Sequence, residues 1–418
     1  MTLLYKLAVS VYHILIWLAA PFNGKARLYV SGRRKWQVKL NRQVDMNARY
    51  IWIHCASLGE FEQGRPLIEA IRDEVPEYKV VLTFFSPSGY EIRKKYPFAD
   101  IISYLPADSR KNAKRFLDIV KPEKVIFIKY EFWYHYITEL QRRSVPVFLA
   151  SGIFRKNQVF FSRLPWGKWF RQILHGFTHF YLQDEESARL LSDIGIKKFT
   201  VCGDTRFDRV ADIVKSVKEI PIVDKFARNK PVLVAGSTWR PDEELLARYI
   251  NENDQVKYII APHEVTPENV SKLEQLLIKP VVRYSMANEM DIHQYQVIII
   301  DSIGLLSSLY RYAKIAYIGG GFGVGIHNIL EAATFGVPVI FGLNYTKFRE
   351  ARDMVGIKAA FPVHDYEGLH KELTRLLGDP EILAEASRDA SAYVKRNRGA
   401  TRKIMDHIFV QKGRSFNN

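Results

Sequence analysis

Cysteine is nearly absent. Only Cys55 and Cys202 occur in 418 residues, which argues against a disulfide framework and fits a reducing compartment. No Cys/His cluster and no H-E-x-x-H spacing suggests a metal centre. G-x-x-x-x-G-K-[ST] is missing, so a P-loop is out, and no G-x-S-x-G suggests a hydrolase. There is no low-complexity tract and no short-period repeat. Acidic residues are scarce beside basic ones, 45 against 61, giving a formal net charge of +16. That excess suits an anionic partner: nucleic acid, an acidic membrane face or a phosphorylated substrate. No nucleic-acid recognition motif accompanies it, so no nucleic-acid partner is expected.

What is present begins with an apolar segment. "LLYKLAVSVYHILIWLAAPF", Leu3 to Phe22, is interrupted only by Lys6 and His13. It is long enough to span a bilayer or to lie in the interface with Lys6 snorkelling. Lys25, Arg27, Arg33, Arg34 and Lys35 follow, and this flank is expected to stay cytoplasmic. A cleaved signal peptide fits less well, because the n-region carries only Lys6 and "WLAAPF" is a poor cleavage site.

Beyond it, short apolar runs alternate with helical patterns: "YIWIHCAS", "KVVLTFF", "KVIFIKY", "VPVFLAS" and "HFYLQD", then "PVLVAGST", "VKYIIAP", "VIIID", "IAYIGGG" and "PVIFG". β-branched runs bounded by turn residues read as buried parallel strands in βαβ units. The pattern loosens over 212–230, "DIVKSVKEIPIVDKFARNK". The expected organisation is an anchor helix over 1–22, an α/β domain over 23–211, a linker over 212–230 and a second α/β domain over 231–418. Two such domains place a cleft between the carboxyl ends of their sheets, and ligands bind at those ends.

The motifs sit just after strands. In "HCASLGEFEQGRPL", Glu60 reads either as a helix-capping residue or as a general base near the positive end of a helix dipole. "TFFSPSGYE" is a hydroxylated turn suited to a hydroxyl-rich or anionic ligand, and equally a plain turn. In "KYEFW", Glu131 is out of place in a core strand and suits a cleft. In "CGDTRFD", Arg206 either holds a carboxylate or phosphate, or pairs with Asp204 or Asp208. "VAGSTWRPDEE" offers amides and hydroxyls at a helix start, as an anion site or as an N-cap. "GGGFGVG" lacks the spacing of G-x-G-x-x-G, so it is not a dinucleotide fingerprint.

Taken in order, these elements resemble the 3-deoxy-D-manno-octulosonic acid (Kdo) transferase family of lipopolysaccharide biosynthesis. "ASLGE" is similar to A-S-V-G-E, "SPSGYE" to T-P-T-G-x-E, "YEFW" to T-E-L-W, "GDTRFD" to G-N-L-K-F-D, and "AGSTW" to A-G-S-T-H. "DSIGLLSSLY" resembles D-T-M-G-E-L-x-x-x-Y, and "GGGFGVGIHNILE" the G-G-S…G-G-H-N-P-L-E element. The resemblance implies a metal-independent GT-B glycosyltransferase: two Rossmann-like parallel α/β domains facing a cleft, with an N-terminal membrane-anchor helix. It implies transfer of Kdo, with inversion, from CMP-Kdo to the lipid A precursor lipid IVA, at the cytoplasmic face of the bacterial inner membrane. Anionic inner-membrane lipids are implied as neighbours.

By the same resemblance Glu60 is the general base, and Glu131 and Arg206 stabilise the transition state. The CMP contacts fall on Pro262 and His263, on Ile303, Gly304 and Leu305, and on Asn328, Ile329, Leu330 and Glu331. The glycines before Asn328 are expected to admit ligand close to bare backbone. Three departures stand out: P-R-H is "PHE", a Glu is replaced by Leu305, and the first Glu of E-x-E-L-W is Lys129. Arg240 or Lys347 are candidates for the missing charge. Two other readings are open: another GT-B glycosyltransferase or UDP-sugar epimerase, and a non-catalytic membrane-surface binding module.

Overall fold

The apolar runs form two all-parallel sheets, as expected of strands buried on both faces by crossover helices. In the computed structural model, residues 1–217 and 219–409 are described. The chain divides into two units: Met1–Arg209 together with the segment from Arg398 onward, and Val210–Asn397.

The first unit holds β1 (Arg49–Cys55), β2 (Tyr78–Phe84), β3 (Ile101–Tyr104), β4 (Lys124–Ile128), β5 (Val147–Gly152), β6 (His179–Leu182) and β7 (Phe199–Val201). Their order is β3-β2-β1-β4-β5-β6-β7. β1 pairs with β2 through Ile53↔Leu82 and with β4 through Ile53↔Ile126. The order reverses between β1 and β4, which makes the carboxyl ends of these two strands the switch point where α/β sheets bind ligands.

The second unit holds β8 (Val232–Thr238), β9 (Lys257–Pro262), β10 (Val281–Arg283), β11 (Val297–Ile299), β12 (Ile315–Ile318), β13 (Val339–Gly342) and β14 (Ala360–Val363). Their order is β10-β11-β9-β8-β12-β13-β14, and the reversal falls between β8 and β12.

The domain boundaries depart from the sequence expectation. In the 212–230 stretch a helix runs through Ser216 from Arg206, and another spans Pro221–Ala227. The Ala400–Phe409 helix groups with the first unit. Its Ala400, Ile404, Met405 and Ile408 pack in the core that contains Ile51, Ile53, Leu67 and Ile71. Asp208 fixes its start by accepting from the amides of Gly399 (2.6 Å) and Thr401 (2.7 Å).

The apolar N-terminal segment is one helix, Thr2–Ala19, with mean hydropathy 1.5 and no buried residue, long and apolar enough to cross a membrane. It touches the first unit along one stripe. Tyr5 donates to Asp108 at 2.5 Å, and His13 Nδ1 meets the Tyr29 hydroxyl at 3.1 Å. Leu3, Leu7, Leu15 and Trp17 face outward and are exposed.

Candidate active site

The polar residues of the first unit gather at its switch point. Glu60 follows β1 on the Leu58–Glu74 helix, where it forms a capping box with Ser57. The Ser57 amide donates to Glu60 Oε2 at 3.1 Å, and the Glu60 amide donates to Ser57 Oγ at 3.4 Å. The capping role is therefore real, and it also holds the carboxyl in one place. Glu60 is buried, and its pKa is pushed up to about 8. Burial is the main cause, and the like charge of Glu131 adds to it. Lys129 and the amides of Ala56 and Ser57 pull the other way.

Glu131 follows β4 and is also buried. Its Oε2 lies 3.5 Å from His54 Nε2. Trp133 Nε1 donates to the same imidazole nitrogen at 3.1 Å. An indole is a donor only, so the His54 proton sits on Nδ1 and points to Thr83 Oγ1 at 2.8 Å. Trp52 Nε1 donates to that hydroxyl at 2.7 Å. None of His54, Thr83 and Trp133 was singled out in the sequence. The available signal was a histidine inside the apolar strand "YIWIHC".

Arg206 pairs with Asp204: Nε and Nη2 reach Oδ2 at 2.9 and 2.8 Å. Burial pushes Asp204 upward, but the guanidinium and its hydrogen bonds outweigh it and hold the carboxyl below its ordinary value. Gln63 Nε2 donates to both Asp204 oxygens at 3.2 and 3.1 Å, and the Thr205 hydroxyl donates to the Gln63 carbonyl at 2.5 Å. Gln63 lies on the helix of Glu60, three residues on. One helix thus carries the Glu60 carboxyl and the anchor of the Arg206 loop.

In the second unit the sequence candidates sit on loops leaving the carboxyl end of the sheet. Pro262 ends β9, and His263 is sandwiched between Trp239 and His327, with ring centroids 4.4 Å away on both sides. Trp239 Nε1 donates to His327 Nε2 at 3.1 Å. Burial, aided by His263, pulls His327 down to about 4. The loops after β9 and β12 are therefore joined by an aromatic stack. Pro262, Trp239, Lys272 and Glu243 line a cavity of about 480 Å³. Asn328 Nδ2 donates to Glu331 Oε1 at 3.1 Å, and Asn328 Oδ1 accepts from the Leu330 amide at 3.1 Å. Ile329 and Leu330 are buried. After β11, Ile303 is 92% exposed. Gly304 has a φ of +98° and no heavy atom within 4 Å of where a Cβ would stand; Leu305 precedes the Leu306–Leu309 turn of helix.

The glycine run differs from expectation. A Cβ on Gly319 would overlap the Ser237 carbonyl and stand 2.6 Å from Thr238 Cα. One on Gly321 would overlap the Gly342 amide and stand 2.6 Å from Gly342 Cα. Gly320 has a φ of +90°, and its amide donates to Asp242 Oδ2 at 2.9 Å. These glycines let neighbouring strand ends of the protein itself approach; their bare backbone is already occupied. The helix start at "STWRPDEE" departs likewise from an anion site. Asp242 accepts from the Trp239 amide at 2.9 Å, and Glu243 accepts from Thr238 Oγ1 at 3.1 Å. Two carboxylates therefore stand at that helix start, one of them accepting from the N-cap amide. Arg240 pairs with Glu244 at 2.7 Å, and Lys347 donates to the Val324 carbonyl at 2.5 Å.

Two parallel seven-stranded sheets, each with its polar loops at a switch point, define a GT-B-type fold. The UDP-GlcNAc 2-epimerase of Neisseria meningitidis, solved bound to UDP-GlcNAc, shares it with a TM-score of 0.62 at 16% identity, covering 86% of this chain and 100% of that one. Residues 30–209 match the family described as 3-Deoxy-D-manno-octulosonic-acid transferase (kdotransferase). The chain is 28% identical over 336 residues to the 3-deoxy-D-manno-octulosonic acid transferase of Aquifex aeolicus, spanning 78% of this chain and 86% of the relative. It is 27% identical over 378 residues to that of Haemophilus influenzae, spanning 85% and 86%. The chain is thus similar to 3-deoxy-D-manno-octulosonic acid transferases over most of its length, and its first unit matches the family's N-terminal model.

Proposed function

We propose that this protein transfers Kdo from CMP-Kdo to lipid IVA, with Glu60 as general base. The observation that carries the assignment is a buried carboxyl at the first switch point, raised to about 8 by burial and by Glu131. Such a group takes a proton readily once ionised, because its neutral form is favoured in that setting. The Glu60 carboxylate removes the proton of an acceptor hydroxyl as that oxygen bonds to the anomeric carbon of Kdo. The bond from that carbon to the phosphate oxygen breaks, and CMP leaves with the electron pair. Glu131 faces positive charge building on the sugar, and Arg206 faces negative charge on the phosphate or the donor carboxylate.

Pro262 and His263, Ile303 to Leu305, and Asn328 to Glu331 hold CMP, with Glu331 accepting from ribose hydroxyls. No metal takes part, so EDTA leaves the rate unchanged. The apolar outer face of the Thr2–Ala19 helix attaches the protein to the cytoplasmic face of the inner membrane, with anionic lipids beside its basic flank.

The test is product mass spectrometry with CMP-Kdo and lipid IVA, for the wild type and Glu60→Ala. Transfer by the wild type and its collapse in a folded Glu60→Ala protein are expected. Turnover of UDP-GlcNAc but not of CMP-Kdo would overturn the donor, and unchanged activity in Glu60→Ala would remove the base.

A further inference from the structure

The Arg33 guanidinium is largely enclosed, with no counter-ion among the described residues. Nε donates to the Leu105 carbonyl at 2.9 Å, Nη1 to that of Tyr29 at 3.2 Å, and Nη2 to that of Phe85 at 2.7 Å. The rings of Tyr29, Tyr104 and Phe85 surround it, with centroids 3.6, 4.8 and 5.2 Å from its central carbon. No described carboxylate pairs with it. Glu91, beside Tyr104, is occupied: it accepts from the Tyr104 hydroxyl at 3.2 Å and pairs with Lys94 at 2.7 Å. Three of the five guanidinium N–H groups are used, and two remain.

Desolvating a cation costs several kcal/mol unless an anion compensates. Carbonyls and ring faces offset part of this and neutralise none of it. Three carbonyls and three ring faces hold the guanidinium, and none of them is an anion. Burial accordingly holds the Arg33 pKa below its ordinary value.

Location narrows the ligand. Phe85 and Leu105 directly follow β2 and β3, so the charge lies at the same end of the first sheet as Glu60 and Glu131. The turn after Phe85 carries Ser86 and Ser88, whose exposed hydroxyls lie 2.8 Å apart. On the other side stands the N-terminal helix: Tyr12 stacks on Phe85 at 6.1 Å, and His13 meets Tyr29. Its outer face is apolar. A ligand suited to this place has an anionic head for the guanidinium and the serines, and a body that follows a lipid-facing helix.

We propose that Arg33, with Ser86 and Ser88, binds a phosphate monoester of the acceptor glycolipid. This rests on the reading of the acceptor as lipid IVA. It assigns Arg33 to acceptor recognition, apart from the donor residues of the second unit and apart from Glu60.

The test is flotation of the full chain with phosphatidylcholine vesicles carrying lipid IVA, enzymatically dephosphorylated lipid IVA, or phosphatidylglycerol. The wild type is expected to prefer phosphorylated over dephosphorylated glycolipid. Arg33→Gln is expected to lower affinity for the phosphorylated form roughly tenfold, with the other two vesicles unaffected. An unchanged preference overturns the proposal, and so does equal loss on all three vesicles. Loss on phosphatidylglycerol equal to that on lipid IVA overturns the acceptor as the source of the phosphate. Should Arg33→Gln fail to fold, phenylglyoxal labelling of the unaltered protein decides. Phosphorylated glycolipid should protect Arg33 where the dephosphorylated form does not; equal protection overturns the assignment. Neither readout needs turnover, so a failure of the transferase reading is seen separately.

Discussion

Glu60 and Glu131 hang from the two strands that flank the switch point of the first sheet, and the charge of Glu131 helps to raise the pKa of Glu60. Glu60 serves as a base only when ionised, so kcat/KM is expected to rise with pH and level off above about 8. Glu131→Gln removes the like charge. The acid limb of the profile is then expected to shift to lower pH, while the plateau falls about a hundredfold from lost transition-state stabilisation. A limb that stays in place would show that the two carboxyls are not coupled.

The same carboxyl makes a prediction about stability. Its folded pKa, about 8, lies above the ordinary 4.5. Between these values the folded state binds more protons than the unfolded one, so Glu60 lowers stability as pH rises through this window. Glu60→Gln preserves the capping-box geometry without the charge. Its thermal midpoint is expected to match the wild type near pH 4 and to exceed it at pH 9. An equal or lower midpoint at pH 9 would contradict the assigned environment.

Gly319 and Gly323 are separated by four positions and by their surroundings. Gly319→Ala would drive a methyl into the Ser237–Thr238 backbone, whereas Gly323→Ala meets nothing closer than the Gly320 carbonyl at 3.9 Å. Urea unfolding is expected to show a loss of about 2 kcal/mol or more for the first, and close to none for the second. Equal effects would mean that the glycine run is not held by its own neighbours.

The N-terminal helix presents Leu7 and Leu15 outward, 60% and 59% exposed. Leu7→Glu and Leu15→Glu are expected to leave the unfolding midpoint unchanged and to weaken vesicle co-sedimentation about tenfold each. Vesicle binding that survives both changes would place attachment elsewhere.

Much of the fold was legible because burial imprints itself locally. "KVIFIKY" and "PVLVAGST" announce buried strands by composition alone, and they became β4 and β8. Glu60, Glu131 and Arg206 were legible as polar residues at strand exits. Asp204 was already one of two local partners open to Arg206, but the longer links were not legible, because Gln63 meets Asp204 across 141 residues and Trp133 meets His54 across 79. Such pairings depend on which strands become neighbours, which no local pattern records. The glycine run shows the same limit. Bare backbone was visible in "GGGFG", but the sequence does not say whether a ligand or Gly342 lies against it. The short edge strands β3, β7, β10 and β14 carry too few apolar residues to stand out from their loops.

The return of the Ala400–Phe409 helix to the first unit has a consequence for synthesis. Domains generally fold in the order in which they leave the ribosome. Here the core around Ile51 and Ile71 lacks Ala400, Ile404, Met405 and Ile408 until the end of the chain emerges. The half of the protein that is made first is therefore the half that closes last, and a gene fragment ending at Arg209 encodes an incomplete folding unit.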